Sequence, residues 1–173
     1  MLSEYILVGR VLKPQGIDGL VKVQHETASP ERFCELEHVY ALKSGQYVCL
    51  EICDVQVRGG FVYLRLDGAQ TRNDAEMQRD LELYVDRQNA RPLQENEYFI
   101  CDLIGCKGFD SEGKELGIVT DIMQPGANDV YVFRTPSGEM LVPALKSVIL
   151  SVDLENQRII LDKNRLKEVA VFS

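Results

Sequence analysis

Five cysteines, two histidines and a surplus of carboxylates are the groups in this 173-residue chain whose types could do chemistry. Cys34, Cys49, Cys53, Cys101 and Cys106 contain no CxxC pair, and His25 and His38 complete no finger spacing. Structural zinc takes tightly spaced pairs of such ligands, so no metal site is expected. The cysteines read as reduced, partly buried thiols of a reducing compartment. Neither histidine stands beside a serine in an elbow motif, and paired carboxylates carry little information in an acidic chain. The expectation is a protein with no catalytic residues and no cofactor.

The glycines of "GRVLKPQGIDGLVKV", residues 9–23, raise the question of a phosphate cradle. A P-loop needs Gly-x-x-x-x-Gly-Lys-Ser/Thr followed by a helix. Here Leu20 follows Gly19 and a strand pattern follows both. A dinucleotide fingerprint fails for the same reason. "GIDG" echoes the Gly-x-x-Gly loop of KH modules, which joins helices rather than strands. The stretch reads as a strand–turn–strand connection whose glycines supply positive φ. Arg10, Gln15, Gly16 and Gly19 are its candidate surface residues for binding a partner.

The second candidate is "ENEYFICDLIG", residues 95–105. It places Tyr98 and Phe99 together, with Leu103 and Ile104 after them. An aromatic ringed by acids is a common anchor for a protein partner, and Tyr98, Phe99 and Leu103 are the candidate contacts. Charge agrees with a protein partner. The chain holds 19 Lys and Arg against 27 Asp and Glu, a net charge of −8, shared equally by its two halves and without a basic run. Gripping a phosphate backbone calls for a cationic patch, whereas an acidic surface suits a basic protein.

These residues must be positioned mostly by strands. "YILVGRVL", "LVKVQHE", "GQYVCLEICDVQV", "FVYLRLDG" and "LELYVDR" carry β patterns, with a hairpin turn at Gly59–Gly60. Ser29-Pro30-Glu31 and Thr71-Arg72-Asn73-Asp74 are helix starts. "RQNARPLQENE" has the polarity and proline of a linker. Strand signals then resume to residue 161, followed by a short helical tail. The reading is an all-β protein of two small β-barrels with short helices, divided as 1–88, a linker at 89–96, and 97–173. No apolar run reaches the roughly 18–20 residues of a membrane span, and "MLSEYILVGR" lacks the basic start and cleavage site of a secretory signal. A cytoplasmic monomer is expected.

The order of these motifs resembles the RimM family of ribosome maturation factors. The N-terminal evidence is "VGRVLKPQGIDGLVKV", "SPERF", "RNDAE" and "LELYV". The C-terminal evidence, similar to a PRC-barrel domain, is "EYFICDLIG", "GKELGIVTDI", "GANDVYVF", "LVPA" and "VDLENQRIIL". The resemblance implies a six-stranded, translation-factor-like barrel followed by a PRC-type barrel. It also implies a non-enzymatic role in late assembly of the 30S head and 16S rRNA processing. The implied partners are small-subunit ribosomal protein number nineteen, which is basic, and the 3′ domain of 16S rRNA. Two places depart from the family's pattern. Gln15 and Asp18 stand where the family's opening loop has histidine and a basic residue, and "DKNRLKEVAVFS" replaces its usual Gly-Leu ending. The alternatives are a small β-barrel that binds a cofactor or a direct RNA-binding module.

Overall fold

The computed structural model describes residues 2–173, which divide into two compact units, Glu4–Pro92 and Leu93–Ser173 with Leu2 and Ser3.

The first unit is a closed barrel. Its strands are β1 (Tyr5–Gln15), β2 (Leu20–His25), β3 (His38–Lys43), β4 (Gln46–Arg58), β5 (Phe61–Leu66) and β6 (Glu82–Asp86). They pair in the order β1-β2-β5-β4-β3-β6, and β6 returns to β1. Alternation decides which face goes inward. Ile6, Val8, Val21, Val23, Val39, Ala41, Val62, Leu64, Leu83 and Val85 fill the interior, and their polar neighbours face out. Closure leaves no strand edge to pair with other chains.

Phe33 plugs this core, fully buried, from a single 3₁₀ turn over Pro30–Glu35. The Ser29 hydroxyl caps it by accepting from the Glu31 N–H at 3.3 Å. The helix start read at this position is therefore real, but the segment stays a 3₁₀ turn. The second start opens α1 (Arg72–Glu76) with a complete capping box. The Thr71 hydroxyl accepts from the Asp74 N–H at 3.2 Å, and the Asp74 carboxylate accepts from the Thr71 N–H at 2.9 Å. Those bonds hold the Asp74 carboxyl below its ordinary pKa, the Gln70 N–H contributing most.

The second unit is a seven-stranded sheet in the order β11-β12-β7-β8-β9-β10-β13. Its strands are β7 (Lys107–Asp110), β8 (Glu115–Met123), β9 (Val130–Thr135), β10 (Gly138–Pro143), β11 (Ile149–Asp153), β12 (Arg158–Leu161) and β13 (Val171–Phe172). Two helices accompany them, α2 (Ile100–Leu103) and α3 (Lys163–Val169). Val119, Tyr131, Phe133, Met140, Val142, Ile159 and Leu161 are buried together with Leu103 and Cys106. One pairing, β12 with β7, is parallel, the exception in an otherwise antiparallel ladder.

The thiols correct the sequence reading. Cys34, Cys49, Cys53 and Cys101 are exposed rather than partly buried, and only Cys106 lies in the core.

Candidate functional site

The segment at Tyr98–Ile104 is built around one short helical turn. Phe99 is the extended residue before α2, and its carbonyl accepts from the Asp102 N–H at 3.0 Å. Gly105 then anchors the chain to β8, its N–H donating to the Val119 carbonyl at 2.9 Å, and Val119 returns a bond of 2.9 Å to Cys106. The change from strand to helical period decides which side chains turn in. Leu103 is 3% exposed and sits in the core, so the expectation that it contacts a partner is corrected. Its burial fixes the turn that carries its neighbours. Ile100 and Ile104, at 37% and 38% exposed, are the aliphatic side chains on the surface instead.

Tyr98 is half-buried and packs against the core of its unit. Phe99 is also half-buried. Tyr131 belongs to the core against which Tyr98 packs. Burial chiefly, with Asp129 and Tyr98 adding, pushes its hydroxyl up to about 12, so it stays neutral. The Glu97 carboxylate closes the approach to the segment by accepting from the Gln94 N–H at 3.0 Å. The result is two aromatics and two isoleucines on one short stretch, preceded by Glu95 and Glu97. Such a stretch can bury apolar area against a partner and meet basic groups at its rim.

The first-unit candidates do not form one site. Arg10 is half exposed on β1 and ion-paired with Glu82. Gln15 ends that strand, about 16 Å further along at the rise of an extended chain. Gly16 and Gly19 bracket the turn between β1 and β2 at φ +71° and +84°. The Arg72 guanidinium donates to the Gly16 carbonyl at 2.9 Å, fastening the turn to α1. The turn presents Ile17, 75% exposed, and Asp18. Neither Ile17 nor Arg72 follows from the turn's sequence, because a tip residue's exposure and a guanidinium 56 residues away depend on closure of the barrel.

His25 Nδ1 lies 2.9 Å from the Thr27 carbonyl, and His38 Nε2 lies 4.0 Å from Asp86. A cleft of about 440 Å³ beside His38 is lined by Arg32, Glu35, Glu37, Gln88 and Asn89. Among the described residues no cluster of three or more His, Cys, Asp or Glu could hold a metal ion. Among the described residues no helix is long and apolar enough to cross a membrane.

A closed six-stranded barrel followed by a smaller sheet unit that carries an aromatic segment before its first strand defines a two-domain, all-β protein. Residues 6–90 match the RimM N-terminal domain, and residues 100–165 match the RimM PRC barrel domain. A ribosome maturation factor RimM of Caldanaerobacter subterraneus subsp. tengcongensis is 42% identical over 158 residues, covering 90% of this chain and 94% of its own. Another, of Thermoanaerobacter pseudethanolicus, is 43% identical over 157 residues with the same coverage. A crystal structure from Pseudomonas aeruginosa, described as a putative 16S ribosomal RNA processing protein RimM, covers 91% of this chain and 96% of its own. Its identity is 24% and its TM-score 0.47. The chain belongs to the RimM family.

Proposed function

We propose that this chain is a non-enzymatic maturation factor of the small ribosomal subunit. It holds ribosomal protein number nineteen and the adjoining 3′ domain of 16S rRNA in a productive arrangement during late assembly of the head, then leaves. The observation that carries the reading is the family membership across both units, with relatives named ribosome maturation factors at over 40% identity. The surface supports it: the net charge of −8 favours encounter with a basic protein. The Tyr98–Ile104 segment of the second unit is the contact. Tyr98 and Phe99 are its aromatic anchors, and Ile100 and Ile104 take the place first given to Leu103. The turn Gln15–Gly19 is a second surface element. With Asp18 at its tip it meets a basic group rather than phosphate.

Titration calorimetry of the purified chain with the ribosomal protein tests this. Association in the micromolar range is expected, weakened by Tyr98→Ala and Phe99→Ala. Absence of binding at tens of micromolar, which corresponds to roughly 6 kcal/mol, would overturn it.

A further inference from the structure

Four of the tyrosines on the outer wall of the first barrel form a group. Tyr5 (β1), Tyr40 (β3), Tyr47 (β4) and Tyr84 (β6) are far apart in sequence, and barrel closure brings them together. Tyr5, Tyr40 and Tyr84 point outward because Ile6, Val39, Ala41, Leu83 and Val85, their strand neighbours, fill the interior, and Tyr47 joins them from the exposed start of β4. Tyr5 and Tyr47 stack with ring centroids 3.8 Å apart and planes at 16°. Tyr40 meets Tyr5 edge-on at 5.0 Å, and Tyr84 meets Tyr47 edge-on at 5.2 Å. Within the group Tyr47 is 39% exposed, and Leu42, its cross-strand partner, is 41% exposed.

Carboxylates border the rings. Glu82 accepts from the Tyr84 hydroxyl at 2.6 Å and pairs with Arg10. Asp86 accepts from the Tyr40 hydroxyl at 3.4 Å. Glu51 is exposed and stands across from His38, whose ring packs edge-on against Tyr40. Burial, with Glu82 adding, raises the Tyr84 hydroxyl far above its ordinary range, so the wall's negative charge is that of its carboxylates.

Other aromatics in this chain carry a cation of their own. Lys22 Nζ lies 3.8 Å from the Phe61 ring centre, the Arg58 guanidinium 4.5 Å from that of Tyr63, and the Arg158 guanidinium 4.3 Å from that of Phe109. None of these three cation-bearing rings is one of the four grouped tyrosines.

We propose that this tyrosine wall is a docking surface for an arginine-bearing segment of a basic protein. A guanidinium stacks on Tyr47, the most exposed of the four rings, where Glu51 and Asp86 add negative charge beyond the Glu82–Arg10 pair. Arginine suits the site better than lysine because its planar group stacks and is less strongly hydrated. Phosphate is a poor occupant, since Glu51, Glu82 and Asp86 repel it. The inference goes beyond the proposed function: the surface lies in the other unit, and its occupant is set by chemistry rather than by the ribosomal protein's identity.

The test uses the full chain, a short peptide of alternating arginine and glycine, and its lysine counterpart of equal length. Two-dimensional NMR reports the site. The arginine peptide is expected to bind roughly fivefold tighter, shifting signals of Tyr5, Tyr40, Tyr47 and Tyr84. Tyr47→Ala should erase the preference and Tyr47→Phe should keep it. If the alanine variant does not fold, Tyr47→Leu retains bulk without a π face and should give the same loss. Equal affinity for the two peptides with no shift at the tyrosines overturns the proposal. So does an oligouridylate that binds the same tyrosines more tightly than the arginine peptide. Binding of ribosomal protein number nineteen can succeed or fail independently of either result.

Discussion

Alanine at Gly16 and at Gly19 should have unequal consequences, although both glycines have positive φ and flank the same turn. At Gly16, φ is +71° and a Cβ would meet nothing within 4 Å. Its cost is that of forcing a side chain into the left-handed region, about 1–2 kcal/mol. At Gly19, φ is +84° and a Cβ would lie 2.5 Å from the Ala69 carbonyl oxygen and 2.7 Å from its carbon. Ala69 is itself 2% exposed, so the obstructing backbone has little room to retreat. Overpacking adds about 1–3 kcal/mol. Gly19→Ala should therefore cost about 2 kcal/mol more than Gly16→Ala. In a unit of this size that difference is about 8–16 °C in the midpoint of the N-terminal transition. Urea unfolding followed by circular dichroism measures it, with Gly16→Asn as a control that should be milder than Gly16→Ala. Variants that agree within about 0.5 kcal/mol, a margin small beside the overpacking cost, would refute the close-approach reasoning.

Asp110 accepts N–H bonds from Lys114 at 2.9 Å and Glu112 at 3.0 Å, chiefly the former lowering its pKa. A lowered native pKa contributes stability that is present above the unfolded value of about 3.9 and lost as pH falls through the native one. Acid unfolding of the second unit should thus become less steep in Asp110→Asn, read by circular dichroism between neutral pH and acid. Cys106 is fully buried and its thiol pKa is raised by that burial, so a thiol reagent should titrate it only on unfolding, while Cys34, Cys49 and Cys53 react in the native protein. Thr71→Ala breaks the capping box and should cost about 1 kcal/mol in urea unfolding.

Local chemistry was the readable part of this chain. Alternation placed Val21 and Val23 on one face, and both are fully buried. Thr71 and Asp74 marked a helix start at the spacing a capping box requires, and the reciprocal bonds are there. What escaped depends on contacts between distant residues. The parallel pairing of β12 with β7 joins Arg158 to Lys107, and nothing in either strand's pattern specifies direction. Leu103, read as a contact, closes α2 and turns into the core, whereas Ile104 leaves the helix in extended conformation and is exposed. The tyrosine wall gathers residues 5, 40, 47 and 84, and only the strand order of the barrel makes them neighbours. The exposed thiols were missed because cysteine's usual burial is a tendency of the residue type, whereas exposure is set by position: Cys34 lies on an outward 3₁₀ turn.

The most direct test of the central claim follows ribosomal protein number nineteen entering immature small-subunit particles, with and without this chain and with no nucleotide supplied. Faster incorporation with the wild-type chain, diminished by Tyr98→Ala and Phe99→Ala together, is the result the account predicts. An incorporation rate unchanged by the chain at saturating concentration would contradict it.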